Sequence, residues 1–259
     1  MNVPSLRRRF CAAALVAFAV SPAGAQNKPT IGQFLSPGFP SDLVSAKQAD
    51  RIAWLVYERG QRNVFTAAAP DYKPVRITNF LNDDGVVLSE LSISDDGTIV
   101  TFVRGSEPNT EGWIANPSSN PNGPERAIWV ARTNGNGAWR VIEGTGPVLS
   151  PDGRSIAFAK EGQIYRVPVT RTGTTAAIDR NELPFIKGWG KNSEPQWSPD
   201  GSKLAYVSMR DYHSLIGIYD MKTRSVHYAA PSVDFDASPT WSPDSRQIAF
   251  MRRPGTPYG

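Results

Sequence analysis

The sequence predicts an all-β fold, a β-propeller of four-stranded antiparallel blades, incomplete at about four and a half blades. Three observations lead there. One phrase recurs along the chain: "LSISDDGTIVTFVR" (91–104), "PVLSPDGRSIAFAK" (147–160), "PQWSPDGSKLAYVS" (195–208) and "PTWSPDSRQIAFMR" (239–252). Its equivalent serines, Ser94, Ser150, Ser198 and Ser242, are 56, 48 and 44 residues apart, the spacing of a repeat whose unit is one small sheet. Gly and Pro number 22 each in 259 residues, so turns are frequent and long helices disfavoured.

The first 25 residues read as a secretory leader. Arg7, Arg8 and Arg9 form its basic end, and Phe10–Val20 is an apolar run too short to span a bilayer. Ala23-Gly24-Ala25 supplies a small-x-small cleavage site before Gln26. Arg7–Phe10 also fits a twin-arginine pattern loosely, so Sec and twin-arginine export both stay open. The expected location is periplasmic or secreted, with no membrane span after cleavage. Of the formal net charge of +4, the three leader arginines account for 3, leaving +1 on the mature chain and nothing to favour nucleic acid. The single cysteine, Cys11, lies in the leader, which excludes a disulfide or thiolate metal site afterwards.

A segment at 26–44 precedes the repeats, with Ile31–Leu35 expected as a strand. The blades are expected at about 45–80, 86–142, 146–186 and 194–230, with a half blade at 236–254. In each phrase Pro presets φ, Asp bonds nearby backbone N–H groups, and Gly accepts the left-handed conformation of a tight hairpin. Ser245 replaces that Gly in the last phrase and is expected to carry a little strain. The strand that follows has apolar third and fifth positions (Val100/Phe102, Ile156/Phe158, Leu204/Tyr206, Ile248/Phe250) around a small residue. That period-two pattern makes one buried face and keeps the other thin enough for close packing. Ile93, Leu149, Trp197 and Trp241 precede the turns and are expected in the core. The first unit, "DRIAWLVYERGQRNVFTAAAPDYKPVRIT", has the strands without the Pro-Asp-Gly turn. A single blade cannot bury both faces, which is why the phrase repeats. The fifth unit stops at Gly259 after its second strand, as expected of the front part of a longer protein.

The phrase W-S-P-D-G-x-x-[IL]-A-[FY] resembles the repeats of Tol-system periplasmic propellers and of the prolyl oligopeptidase family of serine peptidases. "FPSDLVSA" (39–46), "RIAWLVYERGQRNVFTA" (51–67), "DDGVVLSELSISDDG" (83–97) and "YHSLIGIYD" (212–220) are similar to the N-terminal propeller of secreted bacterial dipeptidyl-peptidase or acylaminoacyl-peptidase-like enzymes. In that family a propeller precedes an α/β-hydrolase domain with a Gly-x-Ser-x-Gly elbow followed by Asp and His. No such elbow occurs in the 259 residues, and the only histidines, His213 and His227, fall in one propeller unit. The Glu-Glu pair by which dipeptidyl peptidases hold a substrate amino terminus is also missing from the sequence. The resemblance therefore implies a non-catalytic portion that gates peptides toward a hydrolase domain and is inactive by itself. A Tol-like protein-binding propeller is the alternative, and a five-bladed glycosidase would need paired inward carboxylates. The implied partner is that hydrolase domain or a peptide substrate, or alternatively a periplasmic protein.

No cofactor or metal is expected. "NDDG" (82–85) and "SDDG" (94–97) lack the alternating ligand spacing of a calcium loop, and "DFD" (234–236) reads as a solvated blade connection. The candidate partner- or substrate-facing residues lie in two loops. Trp113 sits in the long irregular stretch Gly105–Arg126, whose composition suits either docking or disorder. Arg210, Asp211 and His213 belong to "RDYHS" between two strands.

Overall fold

A computed structural model describes residues 30–34, 38–135, 137–169 and 183–255. The leader, with Cys11, and the polar turn expected after "GQIYRVPV" lie outside them. The chain forms two units, residues 1–35 and 36–259. In the first, Ile31–Phe34 is a single helical turn (α1) and not the expected strand. In the second, Phe39–Ser45 is already a strand, so the first sheet starts earlier than the expected 45 and takes in part of the N-terminal segment. The physical reason is pairing: residues 39–45 supply the backbone partners of the next strand, and the sheet reaches four strands without residues 31–34.

The first sheet runs β1 (Phe39–Ser45), β2 (Arg51–Glu58), β3 (Gln61–Ala68) and β4 (Val75–Arg76) in spatial order. The second repeats that order with β5 (Leu88–Ile93), β6 (Ile99–Arg104), β7 (Ala127–Arg132) and β8 (Ala138–Glu143). The third has β9 (Thr145–Leu149), β10 (Ser155–Lys160) and β11 (Gln163–Pro168), and Ile186 bridges Ile164 where a fourth strand would lie. The fourth comprises β12 (Lys191–Trp197), β13 (Lys203–Met209), β14 (Ser214–Asp220) and β15 (Val226–Ala229). The pair β16 (Phe235–Trp241) and β17 (Ile248–Arg253) joins it through one parallel contact, Ser214 with Phe235. Every other strand pairing is antiparallel.

The repeated turn explains its serine as well as its glycine. Ser198 is fully buried; its Oγ donates to Asp200 Oδ1 at 2.7 Å and accepts the Lys203 N–H at 2.9 Å. Asp200 Oδ1 also accepts the Ser202 N–H, and these donors lower its pKa to about 2. Gly201 has φ +69°, with its N–H donating to Ser198 O. Ser94, Ser150 and Ser242 make the same serine–aspartate bond at 2.6, 2.5 and 2.6 Å. In the first sheet Ala46 holds the serine's place: its N–H donates to Arg51 O, as Ser94 N–H does to Ile99 O.

The alternating strands β6, β10 and β13 after these turns are buried on both faces, and each face meets a different sheet. Val100 and Phe102 pack back on Ala53, Leu55 and Val64 of the first sheet, while Val103 faces forward to Ile156 and Phe158. Leu204 and Tyr206 pack back on Ala157, Ala159 and Ile164, while Ala205 and Val207 face Trp241, Ile248 and Phe250. This is propeller packing: each sheet is one layer of two successive interfaces. Within the fourth sheet Gly217 leaves room for the ring of its cross-strand partner Tyr206, since a Cβ there would lie 2.4 Å from that ring. Trp197 and Trp241, expected in the core, are half-buried: they pack against the third and fourth of these interfaces, and Trp197 also lines a cavity.

Candidate functional site

The inner strands β1, β5, β9, β12 and β16 follow one another along an open channel. Its two cavities, about 520 and 350 Å³, share Leu91, Ser92, Val148 and Gln196 as walls. Each inner strand is bulged, and the bulge holds one residue at positive φ: Asp42 (52°), Glu90 (55°), Gly146 (63°), Glu194 (51°) and Ser238 (54°). A non-glycine residue there costs about 1–2 kcal/mol, so the bulges must be held by something else. The acids do part of this. The Glu90 carboxylate accepts the N–H of Gly146, the bulge residue of the next inner strand, together with Thr145 Oγ1 at 2.8 Å and Arg126 Nη2 at 2.7 Å. Glu194 Oε2 likewise accepts the N–H of Ser238 at 3.0 Å. Two channel carboxylates thus stitch β5 to β9 and β12 to β16.

Because the sheets are antiparallel, the β6–β7 and β13–β14 loops lie at the end where the inner strands begin. The long loop between β6 and β7 is clamped at its base. Arg104 bridges Asp84 and Glu125 and stacks on Phe80, and Arg126 Nη1 donates to Gly105 O at 3.2 Å. Asn109 and Asn116 then close tight turns by accepting the N–H groups of Trp113 and Asn120. The loop so held presents Trp113 with 73% of its surface exposed. Arg210, Asp211 and His213 come together with Trp189, Tyr212 and Leu215 around a cavity of about 330 Å³, which Trp113 does not line. Arg210 is fixed there by donating to Tyr228 Oη at 2.9 Å, while Trp189 and Tyr212 project into solvent.

Asp236, expected in a solvated connection, is instead fully buried in β16. It accepts Arg252 Nε at 2.7 Å and Nη2 at 3.0 Å, and this pairing, more than any other cause, raises the Arg252 pKa. The ion pair across the hairpin is what permits the burial. His227 lies on the exposed strand β15. Among the described residues no hydrogen bond joins a serine to a histidine side chain, and no group of three or more His, Cys, Asp or Glu has metal-binding proximity. Sequence reasoning passed over Glu90, Glu194 and Trp189. The bulge residues Glu90, Gly146, Glu194 and Ser238 all stand four places before a turn serine, a signal visible once the repeats are aligned.

Comparison with known proteins extends this picture. Over 123 residues the chain is 34% identical to Dipeptidyl-peptidase 5 of Aspergillus fumigatus, a match covering 39% of this chain. It is 29% identical over 114 residues, 42% of the chain, to an uncharacterized peptidase, YuxL, of Bacillus subtilis. Its curated relatives include peptidases. Both matches span only 17% of the relative's own length. A 57-residue stretch, 22% of this chain and 13% of the relative, is 37% identical to the Tol-Pal system protein TolB of Alcanivorax borkumensis. Among solved structures, TolB from Acinetobacter baumannii superposes with TM-score 0.53 at 21% identity, over 82% of this chain and 48% of that one. A puromycin-hydrolyzing peptidase of Mycobacterium tuberculosis gives 0.54 at 16% identity, over 83% and 35%. At these identities the structural likeness establishes the propeller fold alone. No family model matches the chain.

Proposed function

We propose that the chain is the non-catalytic propeller portion of an exported serine peptidase of the prolyl oligopeptidase family, and that its channel selects which peptides reach a hydrolase domain. The observation that carries this reading is the 34% identity to Dipeptidyl-peptidase 5 over 123 residues. The channel supports it. Its cavities of about 350 and 520 Å³ suit an extended peptide segment and are far too small for a folded domain. The Glu90 and Glu194 staples hold β5 to β9 and β12 to β16 along it. The leader implies a periplasmic or secreted protein. The nucleophile would come from the hydrolase domain, since this sequence has no Gly-x-Ser-x-Gly.

A second reading, a periplasmic propeller that works by binding another protein, is favoured by the 37% identity to a Tol-Pal system protein over 57 residues. Sequencing the transcript beyond codon 259 separates the two. A continuing frame with Gly-x-Ser-x-Gly, then Asp and His, supports the peptidase. A stop codon with no hydrolase frame beside it supports the binding propeller.

A further inference from the structure

Three arginines from three successive sheets line one cavity of about 420 Å³ at the end of the fold that carries the repeated turns. Arg51 comes from β2, Arg132 from the end of β7, and Arg154 from the turn before β10. The stem of Arg51 lies against Gly97, where an added Cβ would stand 3.3 Å from its Cβ and Cδ. Its head donates to Thr133 O at 3.5 Å, and Thr133 is itself held by its Oγ1 bond to Gly97 O at 2.8 Å. Arg132 precedes Thr133, and its Nη2 is buried with no acceptor among the described residues. A guanidinium stays protonated, so a buried N–H of this kind calls for an oxygen partner.

The carboxylates in the same cavity, Asp96 and Asp152, also serve their own turns. Each accepts a serine hydroxyl and a backbone N–H of its hairpin. Arg154 also attracts Asp152, one of the causes that lower that carboxyl's pKa. Three guanidiniums against two carboxylates leave the cavity with one net positive charge.

We propose that this cavity binds a carboxylate group, of the kind carried by a peptide C-terminus or an acidic side chain. Guanidinium pairs hold planar carboxylates by parallel N–H···O bonds, and a single negative charge neutralises the site. A phosphate dianion would leave an excess negative charge beside Asp96 and Asp152. The proposal is independent of the peptidase reading, because the cavity is built entirely from this chain and needs no hydrolase domain.

Isothermal titration of the full chain tests it with four probes: N-acetyl-Ala-Ala as the free acid, the same peptide as its amide, N-acetyl-Glu-Ala amide, and inorganic phosphate. The expected result is saturable binding of at least one carboxylate peptide, weakened by salt, with no binding of the Ala-Ala amide. Binding of the free acid alone identifies a C-terminus as the ligand group; binding of the glutamyl amide identifies a side chain. Arg154→Gln, on an exposed turn, and Arg132→Gln should each weaken binding about tenfold or more. Arg140→Gln, whose partner is Glu143 elsewhere on the surface, should leave it unchanged. A melting curve for each variant separates lost binding from lost fold. The inference is overturned if the Ala-Ala amide binds as well as its acid, if phosphate binds more tightly than both carboxylates, if no carboxylate binds, or if folded Arg154→Gln binds normally.

Discussion

Gly201→Ala isolates what the turn glycine contributes. At φ +69° an L-residue is in the left-handed region, at a cost of about 1–2 kcal/mol. The new Cβ would lie 3.8 Å from Pro151 Cδ, an ordinary contact, so backbone strain is the whole effect. Gly97→Ala carries the same strain plus a squeeze, because its Cβ would stand 3.1 Å from Ala49 and 3.3 Å from Arg51. Ser245, at φ +61°, already bears the strain in the last turn, but its Oγ accepts the Asp200 N–H at 3.0 Å. Ser245→Gly therefore relieves roughly 1 kcal/mol of strain and removes a hydrogen bond of similar worth, for a net change near zero. Ser245→Ala loses the bond without the relief and should destabilise by about 1 kcal/mol or more. Urea denaturation of the four variants reads these values, with thermal midpoints expected to move roughly 2–4 °C per kcal/mol. The order Gly97→Ala worst, Gly201→Ala and Ser245→Ala intermediate, Ser245→Gly neutral is the expected outcome. An unchanged midpoint for Gly201→Ala, or a strongly destabilised Ser245→Gly, would refute the reasoning.

Arg252→Met strands the buried Asp236 carboxylate and should cost roughly 2–3 kcal/mol, less than a fully buried pair because the arginine is about a third exposed; urea midpoints check it. The carboxyl pKa values of Asp152, Asp200, Asp220, Asp234 and Asp244 are all lowered, chiefly by hydrogen bonds, which come from within the turn for all but Asp234, whose main donor is the Gly255 N–H beyond β17. Folded values below the unfolded value of about 3.9 mean that this stabilisation is complete above about pH 4 and is lost as pH falls toward 2. Urea midpoints should therefore drop through that window, more shallowly in Asp200→Asn, and parallel profiles for the two proteins would contradict the assignment. The forward face of β17 exposes Ala249 and, at 64%, Met251, the counterparts of the buried Ala205 and Val207. Residues 26–259 should therefore self-associate in light scattering after size exclusion, and Met251→Lys should reduce it; a monodisperse monomer at tens of micromolar would count against this.

The sheets were legible because the repeat writes the same local chemistry several times. The turn glycines and the apolar pairs such as Ile156/Phe158 each specify a hairpin and a buried face without distant help. The start of the first sheet was not legible, because "FPSDLVSA" lacks the turn residues and is recognised only through its pairing with "RIAWLVYE". Its six-residue turn keeps the backbone frame of the others with Ala46 in place of serine, so the pattern persists where the letters do not. Asp236 was misread for a related reason: "DFD" looks solvated until Arg252, sixteen residues on, is brought across the hairpin. At the candidate site, the grouping of Arg210, Asp211 and His213 followed from their closeness in sequence. The Glu90–Gly146 and Glu194–Ser238 staples, and the cavity shared by Arg51, Arg132 and Arg154, join residues from different sheets. Only the packing of one sheet on the next brings such residues together.

The central claim, that these blades belong to a serine peptidase, is tested most directly on the native product. Antibodies raised against residues 38–255 would capture it from the periplasm or the culture medium, and a fluorophosphonate probe would then be applied. The account predicts a captured species heavier than the 28.3 kDa of this sequence, labelled on a single serine, while purified residues 26–259 remain unlabelled. A captured product no larger than that, unlabelled and inert toward peptides, would contradict it and leave the binding propeller as the better account.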